Sequence, residues 1–232
     1  MKHLQNTAGF LAAFLLILTI LITSFQVVAY GDFSFFEKEY VKYQVTEDLN
    51  MELEDVMDVT YQMMDYLIGE KEELSVITMV DGREQDFFNE QDRLHMWDVQ
   101  NLFIGGLKVR AVSIVAVCIC LAFLFGTKAD WKKILTASWF AALAVYGGLL
   151  VVFGTWAAID FTAFFTFFHE VFFTNDLWLF DPATDYMIRM LPEGFFADIA
   201  LRIVSLFVVL IMLISGICLL YRRKVSVDKM RL

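Results

Sequence analysis

The chain has 232 residues, of which 59% are hydrophobic, and its mean hydropathy is +0.60. A soluble domain of this length does not need so much apolar sequence, so the composition predicts a polytopic membrane protein. The formal net charge of −10, with no basic stripe along the sequence, argues against a nucleic-acid-binding protein.

Four apolar runs are each long enough to cross a hydrocarbon core of about 30 Å, which takes about 20 helical residues. They lie approximately at 8–29, 107–127, 134–156 and 198–221. The first run ends in Val27-Val28-Ala29, which is typical of a signal-peptide cleavage site, but its length favours an uncleaved signal anchor. In the third run, Gly147, Gly148 and Gly154 allow close contact with a neighbouring helix.

The distribution of basic residues predicts the orientation of these spans. Basic side chains are concentrated at the N-terminus, in the 128–133 loop and in the C-terminal tail: Lys2, Lys128, Lys132, Lys133, Arg222, Arg223, Lys224, Lys229 and Arg231. By the positive-inside rule these three segments are cytoplasmic. The 30–106 and 157–197 segments are then extracytoplasmic, in a multi-pass protein of the plasma membrane.

The predicted fold class is therefore an all-α polytopic membrane protein with four transmembrane helices. Residues 1–29 form the cytoplasmic N-terminus and first helix, and 30–106 form a small extracytoplasmic cap. Residues 107–156 form helices two and three, with the short cytoplasmic loop between them. An aromatic re-entrant or interfacial segment at 157–197 then leads to the fourth helix and basic tail at 198–232.

The 30–106 segment is too long for a bare loop, so a folded cap is expected there. Apolar residues at helical spacing between Leu53 and Ile68 predict a helix that ends at Gly69. The run from Ser75 to Val80, followed by Asp81-Gly82, predicts a short strand and a turn.

Asn89 is predicted to be the N-cap residue of the last helix of the extracytoplasmic segment, with Asp92 at the third position of that helix. This helix leads through Gly105-Gly106 into the second span, and it carries Arg93, His95 and Asp98.

The stretch from Asp160 to Pro192 combines many Phe and Trp rings with polar and ionisable side chains: His169, Glu170, Asn175, Asp176, Asp181, Asp185 and Arg189. A site that holds an acyl chain and transfers a proton needs both kinds of residue. If 160–174 is helical, one stripe contains Thr162, Thr166, His169 and Phe173, and a neighbouring stripe contains Phe161, Phe165, Phe168 and Phe172. The alternative is an interfacial amphipathic helix whose histidine has no chemical role.

His95 and His169 are the candidate proton-transfer residues, because both fall in segments predicted to be outside and at similar depth. Imidazole is the side chain whose unperturbed pKa best suits proton transfer near neutral pH. Asn175 is a candidate donor to an oxyanion, and Asp181 or Asp185 is a candidate partner for the second nitrogen of a histidine ring.

Other chemistries fit the sequence less well. The three cysteines lie in apolar runs, outer serines are few, and a Gly-x-Ser-x-Gly motif does not occur, which disfavours a covalent nucleophile. A histidine-dependent hydrolase or a zinc enzyme with both imidazoles as ligands stays an alternative. So does a non-enzymatic envelope scaffold or sensor whose acidic cap binds a partner.

Two outer stretches resemble the signature stretches of a known family. They run from Asp92 to Val99 (DRLHMWDV) and from Phe168 to Trp178 (FHEVFFTNDLW), and the second is followed by Asp181-Pro182. On these residues the chain resembles the lipoprotein intramolecular transacylase (Lit) family of Firmicute integral membrane proteins. The four-span layout with a large first outer segment agrees with that resemblance.

The resemblance implies an acyltransferase that needs no cofactor and no metal and that acts among membrane lipids on diacylated bacterial lipoproteins. It implies transfer of the sn-2 acyl chain of the diacylglyceryl-cysteine to its own N-terminal amine, which gives the lyso-form lipoprotein. His169 is then the candidate base, and His95 its partner for acid transfer or positioning. Residues expected to bind substrate or support the site are Asn175, Trp178, Asp181, Asp185, Arg93, Arg189, Asp98 and Glu170. For the two arginines, surface salt bridges are the alternative.

Overall fold

The computed structural model describes the backbone of residues 1–230 and the side chains of residues 1–220. Its elements, in chain order, are α1 (Lys2–Tyr30), α2 (Ser34–Lys42), α3 (Val45–Leu49), α4 (Leu53–Leu67), β1 (Ile77–Val80), β2 (Arg83–Asp86), α5 (Glu90–Gly126), α6 (Trp131–Ile159), α7 (Phe161–Phe172), α8 (Tyr186–Met190) and α9 (Glu193–Met230). The basic side chains predicted for the cytoplasmic tail begin at Arg222 and lie outside the described side chains.

Four helices are long and apolar enough to cross a membrane: α1, α5, α6 and the Glu193–Leu220 part of α9. The predicted four-span helical fold is thereby confirmed. The 37 residues of α5 exceed what one crossing takes, about 20 residues, and its polar side chains are concentrated before Gly105. We therefore assign the crossing to the apolar part of α5, residues 107–126, which leaves its first turns outside the hydrocarbon.

The chain divides into two units. The bundle unit comprises Met1–Phe25, Lys108–Ile159 and the chain from Arg202 onward, and the cap unit comprises Gln26–Leu107 and Asp160–Leu201. All the candidate site residues predicted from the sequence belong to the cap unit.

The bundle unit has an apolar core built from α1, α6 and α9: Ala13, Ile17, Trp139, Ala142, Phe207 and Ile211. Two hydrogen bonds join helices beside this core. The indole Nε1 of Trp139 donates to Oγ of Ser215 at 3.0 Å, and the hydroxyl of Tyr146 donates to the carbonyl of Phe14 at 3.2 Å. Such bonds stabilise helix association where the surrounding lipid offers polar groups no partner.

Close approach of two helices in the bundle unit occurs at Gly9. A Cβ atom at Gly9 would lie 2.4 Å from Cγ2 of Ile134 and 2.9 Å from Oγ of Ser138. The glycines of α6 would also permit such contact, but a small residue does not determine which helix face meets a neighbour. In the described chain, a Cβ would meet no other helix within 4 Å at Gly147, Gly148 or Gly154.

The cap unit contains the predicted helix and hairpin. The helix is α4, which Gly69 follows with a φ of 81°. β1 and β2 pair antiparallel through a two-residue turn in which Asp81 has a φ of 50° and Gly82 a φ of 73°. Positive φ at both positions is the geometry that favours Asp-Gly in hairpins, so the predicted turn is confirmed.

The helices α2 and α3 had no counterpart in the sequence prediction. Each is short, and a short helix depends on packing more than on its own pattern. In α2, Phe36 and Tyr40 pack against Phe195 with ring centroids 5.3 and 6.3 Å apart. The buried hydroxyl of Tyr40 lies 2.6 Å from Oγ1 of Thr60 in α4. This aromatic core joins the first part of the cap unit to the start of α9.

We predict that Gly9→Leu lowers the stability of the protein, by about 1–3 kcal/mol, because the added atoms must displace Ile134 and Ser138. Gly147→Leu is the matched control, since a side chain there meets open space and leucine favours the helix. The measurement is the midpoint of thermal unfolding in detergent. Equal midpoints for the two variants would contradict the contact at Gly9.

Candidate active site

The start of α5 is held by a reciprocal cap. The side chain of Asn89 accepts from the backbone N–H of Asp92, and Oδ2 of Asp92 accepts from the backbone N–H of Asn89, both at 2.9 Å. This arrangement satisfies two donors at the helix terminus and confirms the predicted cap. It also places His95 one turn further along, where its side chain is buried in the cap unit.

The second histidine is positioned by α7. Asp160 caps this helix by accepting from the backbone N–H of Ala163 at 2.9 Å, so the prediction of a helix over 160–174 holds for Phe161–Phe172. Nδ1 of His169 lies 2.7 Å from the carbonyl oxygen of Phe165. Because a carbonyl only accepts, Nδ1 carries the proton, and Nε2 of the neutral ring holds an available lone pair.

The two imidazoles meet inside an aromatic enclosure. The ring centroids of His95 and His169 are 6.0 Å apart, with planes inclined by 25°. Phe173 and Phe180 contact His95 edge-on at 5.1 and 5.3 Å. Trp178 packs on His169 with ring centroids 4.9 Å apart. The structure thus brings together the two histidines that the sequence singled out.

The loop after α7 is tied to α5 through Asn175. Its amide Nδ2 donates to Oδ2 of Asp98 at 2.9 Å, and its backbone carbonyl accepts from the indole Nε1 of Trp178 at 2.9 Å. Asp98 therefore fixes the loop that holds Trp178 against His169. The predicted donation from Asn175 to an oxyanion would have to use the second hydrogen of its amide.

Burial keeps both imidazoles neutral near pH 7. Desolvation lowers the pKa of His95 to about 4, and the positive charge that His169 would carry lowers it further, whereas Asp98 opposes the shift. Burial also lowers the pKa of His169, against the opposing effect of its hydrogen bond to Phe165. A neutral imidazole with a free lone pair is the form that accepts a proton.

A cavity of about 330 Å³ lies beside His169 in the cap unit, and Phe165 and Trp178, which contact the imidazole, are part of its wall. Its remaining lining residues are Leu179, Phe180, Asp181, Ile188 and Glu193. Mostly apolar walls with a few polar groups are typical of small-molecule and acyl-chain sites, which begin at about 300 Å³.

Asp185, Asp181 and Glu170 are placed away from the imidazole nitrogens. The buried Asp185 accepts from Nδ2 of Asn89 at 2.6 Å and from the backbone N–H of Asp181 at 2.7 Å. Among the described side chains, neither aspartate bonds to an imidazole, and the loop uses Asp185 to satisfy its own polar groups, so the orienting role stays a prediction. Glu170 is exposed, about 100° around α7 from His169.

The two predicted arginines form salt bridges within the cap unit. Nε of Arg189 pairs with Asp48 at 2.9 Å and Nη1 pairs with Asp81 at 3.0 Å, which joins α8 to α3 and to the hairpin turn. Nη1 of Arg93 lies 3.5 Å from Asp86. These contacts are those of the salt-bridge alternative, so the substrate contacts expected of both arginines stay predictions.

Sequence reasoning missed Phe180, Glu193 and the carbonyl of Phe165. The four-residue spacing from Phe165 to His169 on one helix was the available signal for the carbonyl contact. Phe180 follows a turn in an irregular loop, so its approach to His95 had no local signal.

The two imidazoles are also the ligands that a zinc ion would use in the alternative predicted from the sequence. Within residues 1–220, no group of three His, Cys, Asp or Glu side chains is arranged to hold a metal ion.

Four apolar helices and a cap unit with paired, buried imidazoles define an α-helical integral membrane protein with a candidate proton-transfer site. The sequence model for "Lipoprotein intramolecular transacylase Lit" matches residues 10–196. The chain therefore belongs to the lipoprotein intramolecular transacylase family, and it is an acyltransferase of the membrane. No curated protein matches the chain.

Solved structures of the membrane integral lipoprotein intramolecular transacylase Lit from Bacillus cereus share this fold. One has a TM-score of 0.76 and 23% identity, over 99% of this chain and 100% of that chain. Two others, in which one histidine is replaced by arginine or by alanine, have TM-scores of 0.73 and 22% identity. They cover 100% and 99% of this chain, over 96% and 97% of their own.

We expect His95 to titrate near pH 4 and His169 below its ordinary pKa. The measurement is a pH titration of ¹⁵N-histidine resonances in a His3→Gln background, which leaves only these two rings. For His95 the folded pKa lies below the unfolded value of 6.5, so the stability it contributes is lost as the pH falls from 6.5 towards 4. A midpoint near 6.5 for His95 would contradict its burial.

Proposed function

We propose that this protein moves the sn-2 acyl chain of a diacylglyceryl-cysteine lipoprotein to the α-amine of the same cysteine, which gives the lyso-form lipoprotein. A C–N bond forms between the amine and the acyl carbonyl, and the C–O bond to the glyceryl oxygen breaks. One proton leaves the amine and one ends on the glyceryl oxygen, so the reaction needs no further reactant. An amide is more stable than an ester, so the transfer is favourable without ATP.

The observation that carries this proposal is the state of His169. Its Nδ1–H is held by the carbonyl of Phe165, burial keeps the ring neutral, and Nε2 is left as the basic nitrogen. The attacking amine gives up one proton as its bond to the acyl carbonyl forms, and such an imidazole can take that proton. We assign this base role to His169.

His95 is the second proton-handling residue in this proposal. Its ring lies 6.0 Å from that of His169, close enough for both rings to reach one reacting centre beside them. We assign it to proton delivery to the leaving glyceryl oxygen or to positioning of the substrate. No enzyme nucleophile is needed, because amine and ester belong to one substrate.

Substrate folding supplies much of the rate in such a reaction. Holding the amine against the ester in one molecule is worth up to about 7–11 kcal/mol when the geometry is right. The cavity beside His169 and the rings of Phe173, Trp178 and Phe180 are suited to hold the acyl and glyceryl parts in that pose. Asp98 and Asn175 support the wall through their hydrogen bond.

We also propose that the cap unit faces the outside of the plasma membrane and that both termini are cytoplasmic, as the positions of the basic residues suggest. In a background without the native cysteines, an impermeant maleimide should label Glu84→Cys in intact cells. Ala129→Cys should be labelled only after permeabilisation. The opposite pattern would reverse the orientation.

The transfer is tested by mass spectrometry of the N-terminal lipopeptide of a reporter lipoprotein. The host is one whose lipoproteins are otherwise diacylated with a free amine. The wild-type chain should shift one acyl chain onto the amine without a change in mass, as fragment ions report. His169→Ala should lower the rate on the order of 10²–10⁴-fold, since the general base is lost.

His3→Ala is the matched histidine control and should act like the wild type. An unchanged free amine with well-expressed wild-type protein would refute the transacylase. Loss of wild-type activity on treatment with a chelator would instead favour the zinc alternative. If both His95→Ala and His169→Ala keep full activity, neither imidazole carries the chemistry.

A further inference from the structure

Two buried polar atoms in the cap unit have no hydrogen-bond partner among the described residues: Oδ1 of Asp92 and Nδ1 of His95. Asp92 is fully buried and His95 is 5% exposed. A buried polar group without a partner costs about 1–3 kcal/mol, so two such atoms in one place call for an explanation.

The two atoms belong to one face of α5. Residues three apart are neighbours on a helix surface. Side chains lean towards the helix N-terminus, a direction that lets the imidazole of His95 approach the turn that carries Asp92.

We propose, on the basis of the transacylase function above, that the Asp92 carboxylate accepts the Nδ1–H of His95 through one bridging water, and so presents Nε2 of His95 to the substrate. Asp92 acts through His95 and is therefore a positioning residue. The carbonyl of Phe165 holds the Nδ1–H of His169, and Asp92 would hold the Nδ1–H of His95 in the same way, through the water. In both rings Nε2 is then the nitrogen that faces the substrate.

The other acids near His95 each accept at least one hydrogen bond from elsewhere in the cap unit. Asp98 accepts from Nδ2 of Asn175, and Asp185 accepts from Asn89 and from the backbone N–H of Asp181. Asp92 uses Oδ2 for its helix cap and keeps Oδ1 available. Among the carboxylates of the described site, Asp92 thus combines full burial with an oxygen that still needs a donor.

A carboxylate at this position also meets an electrostatic need. Burial lowers the pKa of His95 to about 4, and the charge of Asp98 opposes this shift. A second anion near the ring would further help it to hold a proton during the reaction. Burial raises the pKa of Asp92 to about 6, and the charge of Asp185 adds to this, while the cap hydrogen bond from Asn89 and the charge of Arg93 oppose it. At about pH 8 Asp92 is therefore ionised and able to stabilise the transient imidazolium.

The test is Asp92→Asn. The asparagine oxygen can still accept from the backbone N–H of Asn89, so the helix cap is kept. Its amide N–H, however, would donate to the bridging water, which would then donate to Nδ1 of His95 and move the ring proton to Nε2. We expect transacylation to fall on the order of 10²–10⁴-fold in the lipopeptide assay. We also expect ¹⁵N shifts to change from the Nδ1–H tautomer of His95 in the wild type to the Nε2–H tautomer in the variant.

The unfolding midpoint of Asp92→Asn distinguishes a positioning role of Asp92 from a purely structural one. The folded pKa of Asp92 lies above its ordinary value of 3.8, so its contribution to stability is complete below 3.8 and is lost as the pH rises through about 6. At about pH 8 the neutral asparagine should thus leave the unfolding midpoint equal or higher. Asp65→Asn, an exposed change in the same unit, is the matched control for loss of one charge and should keep wild-type activity.

Wild-type activity in folded Asp92→Asn would overturn the proposal. Lost activity with an unchanged His95 tautomer would also overturn it and would leave the transacylase function intact. If the wild type itself is inactive, the function fails, but the tautomer still tests the bond. If Asp92→Asn does not fold, the wild-type spectrum decides, since an Nε2–H tautomer of His95 would contradict the bond.

Discussion

The candidate active site in the cap unit depends on the burial of two neutral imidazoles among aromatic rings. Transfer from water favours the uncharged form of each ring, which is the form that can take a proton. The hydrogen bond from His169 to the carbonyl of Phe165 then decides which nitrogen is available. Phe173, Phe180 and Trp178 pack directly on the two rings, so the residues that exclude water also fix the rings in place.

Polar side chains of the cap unit mainly hold this enclosure together. The bond from Asn175 to Asp98 fastens the loop after α7 to α5, and the bond from Asn89 to Asp185 fastens the next loop to the start of the same helix. Both loops therefore take their position from the first turns of α5. The salt bridges of Arg189 lie in exposed or partly exposed surroundings, where an ion pair contributes about 0–1 kcal/mol, and their effect is to orient α8.

Among the described residues, Asp92 and His95 are the exceptions to this pattern of satisfied groups. A fully buried carboxylate with one unpartnered oxygen lowers stability, and proteins retain such groups mainly where function needs them. Asp92 lies one turn before His95, and the proposed positioning of that ring would explain why the loss of stability is tolerated. The two histidines would then share one design, in which Nδ1–H is held by a fixed acceptor and Nε2 faces the reaction. That design suits a transfer in which the substrate provides both nucleophile and ester.

The sequence by itself determined the elements whose signals are local. Apolar length predicted four spans, Asp81-Gly82 predicted the hairpin turn, and Asn89 with Asp92 predicted the cap of α5, because each depends on neighbouring residues alone. It also singled out His95 and His169 as partners in one site, without the geometry that joins them. Only the tertiary structure decided that their rings meet, that Phe180 closes the enclosure, and that Gly9 is a point of close helix contact. Those contacts join residues far apart in the chain, and packing, which no local pattern encodes, selects them.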